Sequence, residues 1–291
     1  MAGVPYRFLP WVRRGLARAH QRPDALNVNL ANRPKVTIGL TLQAKENGDT
    51  KAAVSGNVDL RLYGPGDVIG IDPRLVVRTD PKPDIRNFEP NYLAIVDFDP
   101  PDFPWMLTPA HANQNNNLRP WLVLVVLERR LVGLPALSPG RPLPSVALKA
   151  SLVASQLPDL AESWLWAHAQ DVSLQSDPAL LAGELKNSPE RNISRLVCPR
   201  RLEPRTDYVA CVVPAFEVGR KRGLGKSVGP DEVLSAAWNP AQPTDTEIPV
   251  YYHWEFSTGP LGDIETLARR LQTPDKYKND TALIAQLNHV G

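Results

Sequence analysis

The chain has 291 residues, a net charge of +2 and 43% hydrophobic residues, which are values of a globular protein and not of a disordered one. Its 30 prolines, about one residue in ten, leave few uninterrupted stretches for long helices and exclude a helical bundle. With only two cysteines, Cys198 and Cys211, a disulfide framework and a cysteine-based zinc site are excluded, and the apolar surroundings of both predict buried free thiols.

Charge is polarised along the chain. Residues 1–36 carry seven basic side chains and one acid, Asp24, so the remainder carries a net −4. The expected organisation is a basic arm over residues 1–34 and a single domain over 35–291. In Phe8–His20, the positions Leu9, Val12, Leu16 and Ala19 recur at helical spacing, with Arg13, Arg14 and Arg18 elsewhere on the wheel. Phe8, Trp11, Arg13, Arg14 and Arg18 are the candidate interaction residues, because a short basic helix with one apolar face packs readily on another chain. A nucleic-acid partner is not expected, since neither a basic excess across a whole domain nor a known binding motif is present.

Val36–Tyr63 alternates on both sides of Asn47-Gly48: Val36, Ile38, Leu40, Leu42 and Ala44 before it, Val58, Leu60 and Leu62 after it. The pattern predicts a β-hairpin with one face buried, and the Lys45–Ala53 spacing predicts a connection longer than two residues. Tyr63–Asp72 (YGPGDVIGID) has glycines but neither a following helix nor a lysine, so it is read as a turn and not as a phosphate loop. Asn91–Phe98 alternates as a strand and runs into an acidic turn. Asp97, Asp99 and Asp102 are there the weak candidates for a hard divalent cation, the alternative being a proline-terminated strand end.

Trp121–Leu127 and Tyr208–Phe216 are continuous apolar runs of strand length, read as strands buried on both faces at the centre of the sheet core. Pro214 is expected at a strand end, since it cannot donate to a ladder. Between them, Leu157–Gln170 is read as a helix opening at Pro158, with His168 on its packed face, and Asp177–Leu185 as a second short helix. Ile248–Phe256 reads as one aromatic strand with Val250, Tyr252, Trp254 and Phe256 on one side. Helices are expected from Asp263 to about Leu271, with Asp263 as cap, and over Asp280–Asn288. The fold class is α+β, mostly β, with proline-rich loops and a few short helices.

No window approaches the ~20 apolar residues of a membrane helix, so no membrane span is expected. Met1–Pro10 lacks the pattern of a secretory leader, so the chain is expected in the cytoplasm. The five histidines, His20, His111, His168, His253 and His289, form no metal-ligand spacing, and no nucleophile motif occurs. Glu162 with His168, and His253 with Glu255, are the acid–base pairs open to an enzyme. The seven tryptophans are open to a glycan-binding platform, with core packing as the default for Trp105, Trp121 and Trp254. No cofactor and no small-molecule substrate are expected.

Eight segments share a wider pattern: FLPWVRRGLA (8–17), LYGPGDVIGID (62–72), NFEPNYLAIVDFDPPDFPW (87–105), LRPWLVLVVLE (118–128), LPDLAESWLWAHAQ (157–170), SRLVCPRRL (194–202), YVACVVPAFEVGRKRGLG (208–225) and YYHWEFSTGPLGDIETLARRL (251–271). Together they resemble an uncharacterised family encoded beside phage-tail-like contractile injection system genes. The resemblance implies a structural or assembly component of the particle, at the baseplate or another peripheral position. Its partners would then be other subunits of that particle. A glycan- or surface-binding module of the particle and a loaded effector enzyme are the alternatives. The family brings no catalytic residues to carry over.

Overall fold

The computed structural model describes residues 7–8, 35–61, 63–115, 117–171, 183, 187–228 and 234–261. Apart from Gly183, the helices expected over 177–185, 263–271 and 280–288, and the arm beyond Phe8, lie outside the described residues. The described chain is α+β and mostly β, in four antiparallel sheets. Its strands and two longer helices in chain order are β1 (Arg7–Phe8), β2 (Lys35–Glu46), β3 (Asp49–Arg61), β4 (Val76–Asp80), β5 (Ile95–Phe98), β6 (Leu122–Glu128), β7 (Ser145–Leu148), α1 (Ala150–Gln156), β8 (Ala167–Asp171), β9 (Asn192–Val197), β10 (Asp207–Pro214), α2 (Glu217–Gly223), β11 (Thr246–Pro249) and β12 (Tyr252–Ser257), with single helical turns at Phe103–Met106 and Arg129–Val132.

A three-stranded sheet, ordered β12-β10-β6, forms the middle layer. β6 and β10 are apolar on consecutive positions because both of their faces are covered, whereas β12 at the edge alternates. Leu122, Leu124 and Val126 of β6, with Tyr208, Ala210 and Val212 of β10, enter one core alongside Val96, Phe98, Ala167 and Leu196 of the five-stranded sheet β1-β8-β9-β5-β4. Val123, Val125 and Leu127, with Val209, Cys211 and Val213, enter a second core with Val146 and Leu148 of β7, Ile248 of β11 and Val153 of α1. Full burial of each such Val or Leu stabilises by about 1.5–3 kcal/mol, which makes β6 and β10 the energetic centre. Pro214 ends β10, opposite Leu122, as its missing N–H requires.

Three elements differ from the sequence reading. The helix expected over Leu157–Gln170 is a 3-10 turn, Leu160–Leu165, followed by β8, because Ala167–Asp171 pairs with β9 from Leu196 to Asn192 and that ladder overrides local helical spacing. The aromatic strand is two strands in different sheets. Pro249 ends β11, and the chain then crosses so that Tyr251 N–H reaches Val212 C=O at 2.9 Å. Trp254 and Phe256 of β12 are buried as expected. The strand expected over Asn91–Phe98 begins only at Ile95, because Tyr92 N–H closes a turn onto Glu89 C=O.

Two devices pin the layers, one polar and one of close packing. Arg200 donates to Val126 C=O at 3.1 Å, to Gln156 Oε1 at 2.6 Å and to Glu128 Oε1 at 2.8 Å, so one guanidinium joins the end of β6 to α1. Burial alone would raise the Glu128 carboxyl, but hydrogen bonds from Gln156 and Arg130 and the charges of Arg200 and Arg130 hold it below its ordinary value. The second device is glycine packing on α2. A Cβ at Gly223 would lie 2.6 Å from Pro249 Cβ, and one at Gly219 would lie 2.9 Å from Pro214 Cβ, so the helix backbone sits directly on the prolines that end β11 and β10.

Candidate interaction surface

The long hairpin of β2 and β3 is built as its alternation directs, with a tighter turn than expected. Asn47 and Gly48 take φ of 53° and 90°, so the connection is a two-residue turn of the kind whose twist matches paired strands. The extra length read between Lys45 and Ala53 is a bulge: Ala44 pairs with Ala52 and Lys45 with Thr50, leaving Lys51 as the additional residue. Registers run Leu42 to Val54, Leu40 to Gly56, Ile38 to Val58 and Val36 to Leu60. Successive residues of a strand alternate faces, so the pairs at Leu40, Leu42 and Ala44 share one face. Thr41, Gln43, Ala53, Ser55 and Asn57 share the other, where the Thr41 and Ser55 hydroxyls are hydrogen-bonded at 3.0 Å.

The expected burial of the apolar face is not found. Leu42 is 75% exposed, Val54 69%, Leu40 50% and Val58 45%, and every described side chain of the hairpin is exposed. Among the described residues, β2 and β3 pair only with each other. The hairpin, with strands of 12 and 13 residues, forms a two-stranded sheet of its own, and its described side chains stay in solvent. A two-stranded ribbon has no interior of its own in water, and its apolar face is a surface awaiting cover.

The other candidate residues are placed as follows. Phe8 lies in β1, which pairs with β8 as the edge of the five-stranded sheet, Phe8 opposite Gln170. Trp11, Arg13, Arg14 and Arg18 lie outside the described residues. Asp97 is 1% exposed, and its two carboxylate oxygens accept from Arg195, Oδ1 from Nε at 2.6 Å and Oδ2 from Nη2 at 2.9 Å. Asp99 is exposed, and Asp102 opens a helical turn, its C=O accepting from Trp105 N–H at 2.8 Å. Among the described residues no group of three His, Cys, Asp or Glu side chains is placed to hold a metal ion.

Glu162 is exposed on the 3-10 turn, whereas His168 lies on β8 and shares a 2.9 Å hydrogen bond with the Gln170 amide. Glu255 pairs with Arg129 at 2.9 Å, leaving His253 exposed beside it. Trp105, Trp121, Trp166, Trp238 and Trp254 are buried, so these five build no exposed aromatic platform. Cys198 and Cys211 are buried free thiols, and burial pushes the Cys198 thiol up to about 11.

One feature had no motif to announce it. A cavity of about 580 Å³ is lined by Arg119, Ser235, Trp238, Asn239, Gln242 and Thr244, with Asp159, Glu217, Arg220 and Asp245 at its walls. Glu217 is held by Arg220, at 2.6 Å from both Nε and Nη2, and Asp245 by Lys149 at 3.0 Å. Arg119 packs 4.8 Å from the Phe216 ring and, among the described residues, donates one long 3.4 Å bond, to Leu234 C=O. No carboxylate pairs with it among the described residues, and burial pulls its guanidinium below the ordinary value. A single arginine before an apolar strand is the whole of its signal in the sequence.

No helix among the described residues is long and apolar enough to cross a membrane. Compared with protein-family models, curated proteins and solved structures, the chain matches none.

Proposed function

We propose that this chain is a structural or assembly component of a larger particle, and specifically of a phage-tail-like contractile injection system, baseplate-associated or peripheral. The observation that carries the reading is the β2–β3 hairpin, whose apolar face is exposed and whose two edges pair with no other strand among the described residues. A free monomer holding Leu40, Leu42, Val54 and Val58 in water gains nothing from them, whereas an assembled subunit does. The segment resemblance supplies the kind of particle. The rigid layered body, with its core sheet covered on both faces, suits a platform that presents the hairpin.

The test is affinity purification of the tagged chain from its native host, followed by electron microscopy. Contractile tail-like particles carrying the chain at fixed symmetric positions are expected, with incorporation lost when residues 35–61 are replaced by a short linker. A free monomer and no particle overturns the reading.

The Arg119 cavity favours a second reading, a ligand-binding module of the same particle that takes a small carboxylate. That reading expects a thermal shift on adding simple mono- and dicarboxylates that Arg119→Gln abolishes; no shift removes it.

A further inference from the structure

Two arginines line the cavity beside α2, and the fold commits only one of them. Arg220 is fully engaged: its Nε and Nη2 meet Glu217 at 2.6 Å, and its Nη1 donates to Glu247 C=O at 3.0 Å. Arg119 is half-buried and lies over the Phe216 ring at 4.8 Å, so one face of its guanidinium is fixed and shielded from water. The 3.4 Å bond to Leu234 C=O engages its Nη2 alone, and among the described residues no carboxylate neutralises it. Such a guanidinium has lost part of its hydration and gained no counter-ion, and its remaining N–H groups keep the planar fork that matches a carboxylate.

The acids of the same cavity bear on which carboxylate fits. Three of them line it. Glu217 is held by Arg220, and Asp245 by Lys149 at 3.0 Å and by Ala150 N–H at 2.9 Å. Asp159 accepts from Ala161 N–H at 2.9 Å, and among the described residues no cation faces it. It does not pair with Arg119 either, so one cavity holds a positive and a negative group apart, each without a counter-charge among the described residues. Three carboxylates around one available cation repel a second negative charge on a ligand and attract a positive one. Ser235, Gln242 and Thr244 add uncharged hydrogen-bonding groups to the lining. The volume of about 580 Å³ lies in the range of small-molecule sites and corresponds to about 8 Å in each direction, enough for the ~7 Å of two extended residues.

We propose that this cavity binds a small zwitterion, a free amino acid or a dipeptide, with its carboxylate on the Arg119 fork and its ammonium on Asp159. The assignment rests on the reading above that Arg119 takes a carboxylate, and it names the rest of the ligand. Each charge of the ligand then neutralises one group that the fold leaves unpaired, and the dicarboxylates that Arg119 alone would accept are disfavoured by the acidic walls.

The test is isothermal titration calorimetry of the purified full chain with five probes. Glycine and glycylglycine carry both charges, N-acetylglycylglycine only the carboxylate, glycylglycinamide only the ammonium, and succinate two carboxylates. The tighter of the first two is expected to bind about tenfold more strongly than the acetylated and amidated analogues, with succinate weaker than the acetylated one. A preference for glycine assigns the site to free amino acids, and a preference for glycylglycine to dipeptides. Asp159→Asn removes the charge and keeps a side chain that caps Ala161 N–H as well as aspartate does. This variant is expected to lose about tenfold in affinity for the preferred zwitterion and to stay within about twofold for N-acetylglycylglycine. Arg119→Gln abolishes binding of both. Asp159 is exposed, so its variant remains informative even where Arg119→Gln lowers the thermal midpoint of the body. The proposal is overturned, and the carboxylate reading kept, if N-acetylglycylglycine binds as tightly as the zwitterions or if Asp159→Asn weakens both equally. Both are overturned if no probe binds. Incorporation into particles is scored separately and bears on neither.

Discussion

Asp97→Asn separates an ion-pair role of the acidic turn from a cation site. Asp97 sits inside the sheet where β5 meets β9, nearly fully buried, with both carboxylate oxygens on one guanidinium. Arg195 is itself only 17% exposed, so the substitution leaves a largely desolvated cation facing a neutral amide. Breaking one side of such a pair costs about 3–5 kcal/mol. That is a large share of a total stability of about 5–15 kcal/mol. At roughly 2–4 °C per kcal/mol for a chain of this size, the thermal midpoint falls by about 6–20 °C. The assay is thermal and urea unfolding of wild type, Asp97→Asn and Asp99→Asn, each with and without millimolar calcium. The reasoning predicts a loss confined to Asp97→Asn and no effect of calcium on any of the three. It is refuted if Asp97→Asn melts within about 2 °C of wild type, or if calcium stabilises wild type and this is lost in both variants.

Other perturbations read other parts of the fold. Gly223→Ala, which improves intrinsic helix propensity by about 1 kcal/mol, is expected to lower stability by a net ~1–3 kcal/mol because its Cβ meets Pro249 at 2.6 Å; an unchanged or raised midpoint refutes that packing. Glu128 is held below its ordinary 4.5, so its contribution is present above that value and lost as pH falls through the lower folded one. The stability gap between wild type and Glu128→Gln therefore closes on acidification; a gap that widens reverses the assignment. Cys198 and Cys211 are expected to resist an aqueous thiol reagent at pH 8 in the folded chain and to react on denaturation; fast reaction in native buffer contradicts their burial.

What could be read in advance followed from how local the cause was. Continuous apolar runs announced β6 and β10, because a strand covered on both faces has no polar position to show. Asn47-Gly48 announced the turn, because few residues take left-handed angles twice in succession. Ala167–Asp171 was misread because its partner, β9, lies more than twenty residues away, and nothing within the segment records that pairing. The aromatic strand was misread as one because Pro249 splits it by where its neighbours lie, not by its hydropathy. The hairpin shows the limit of periodicity most clearly. Alternation at Leu40, Leu42 and Val54 states that one face is apolar, but it cannot state that the chain itself provides the cover. Arg119 was invisible for the opposite reason: its cavity is assembled from segments near 119, 160, 217 and 235–246 that meet only in three dimensions.

The layering has a consequence for how the protein is made. β10 lies between two neighbours, β6 at 122–128 and β12 at 252–257, so synthesis supplies its partners far apart in time. Until Ser257 has been polymerised, one edge of β10 is open. Until Pro214 has been polymerised, the seven apolar-rich residues of β6 have no ladder at all. At about 5–20 residues per second, the gap from Glu128 to Pro214 alone lasts several seconds on the ribosome. During that interval Leu122–Leu127 is an uncharged, proline-free β segment of the kind that aggregates, so any fragment ending before β12 is expected to be a poor candidate for soluble expression.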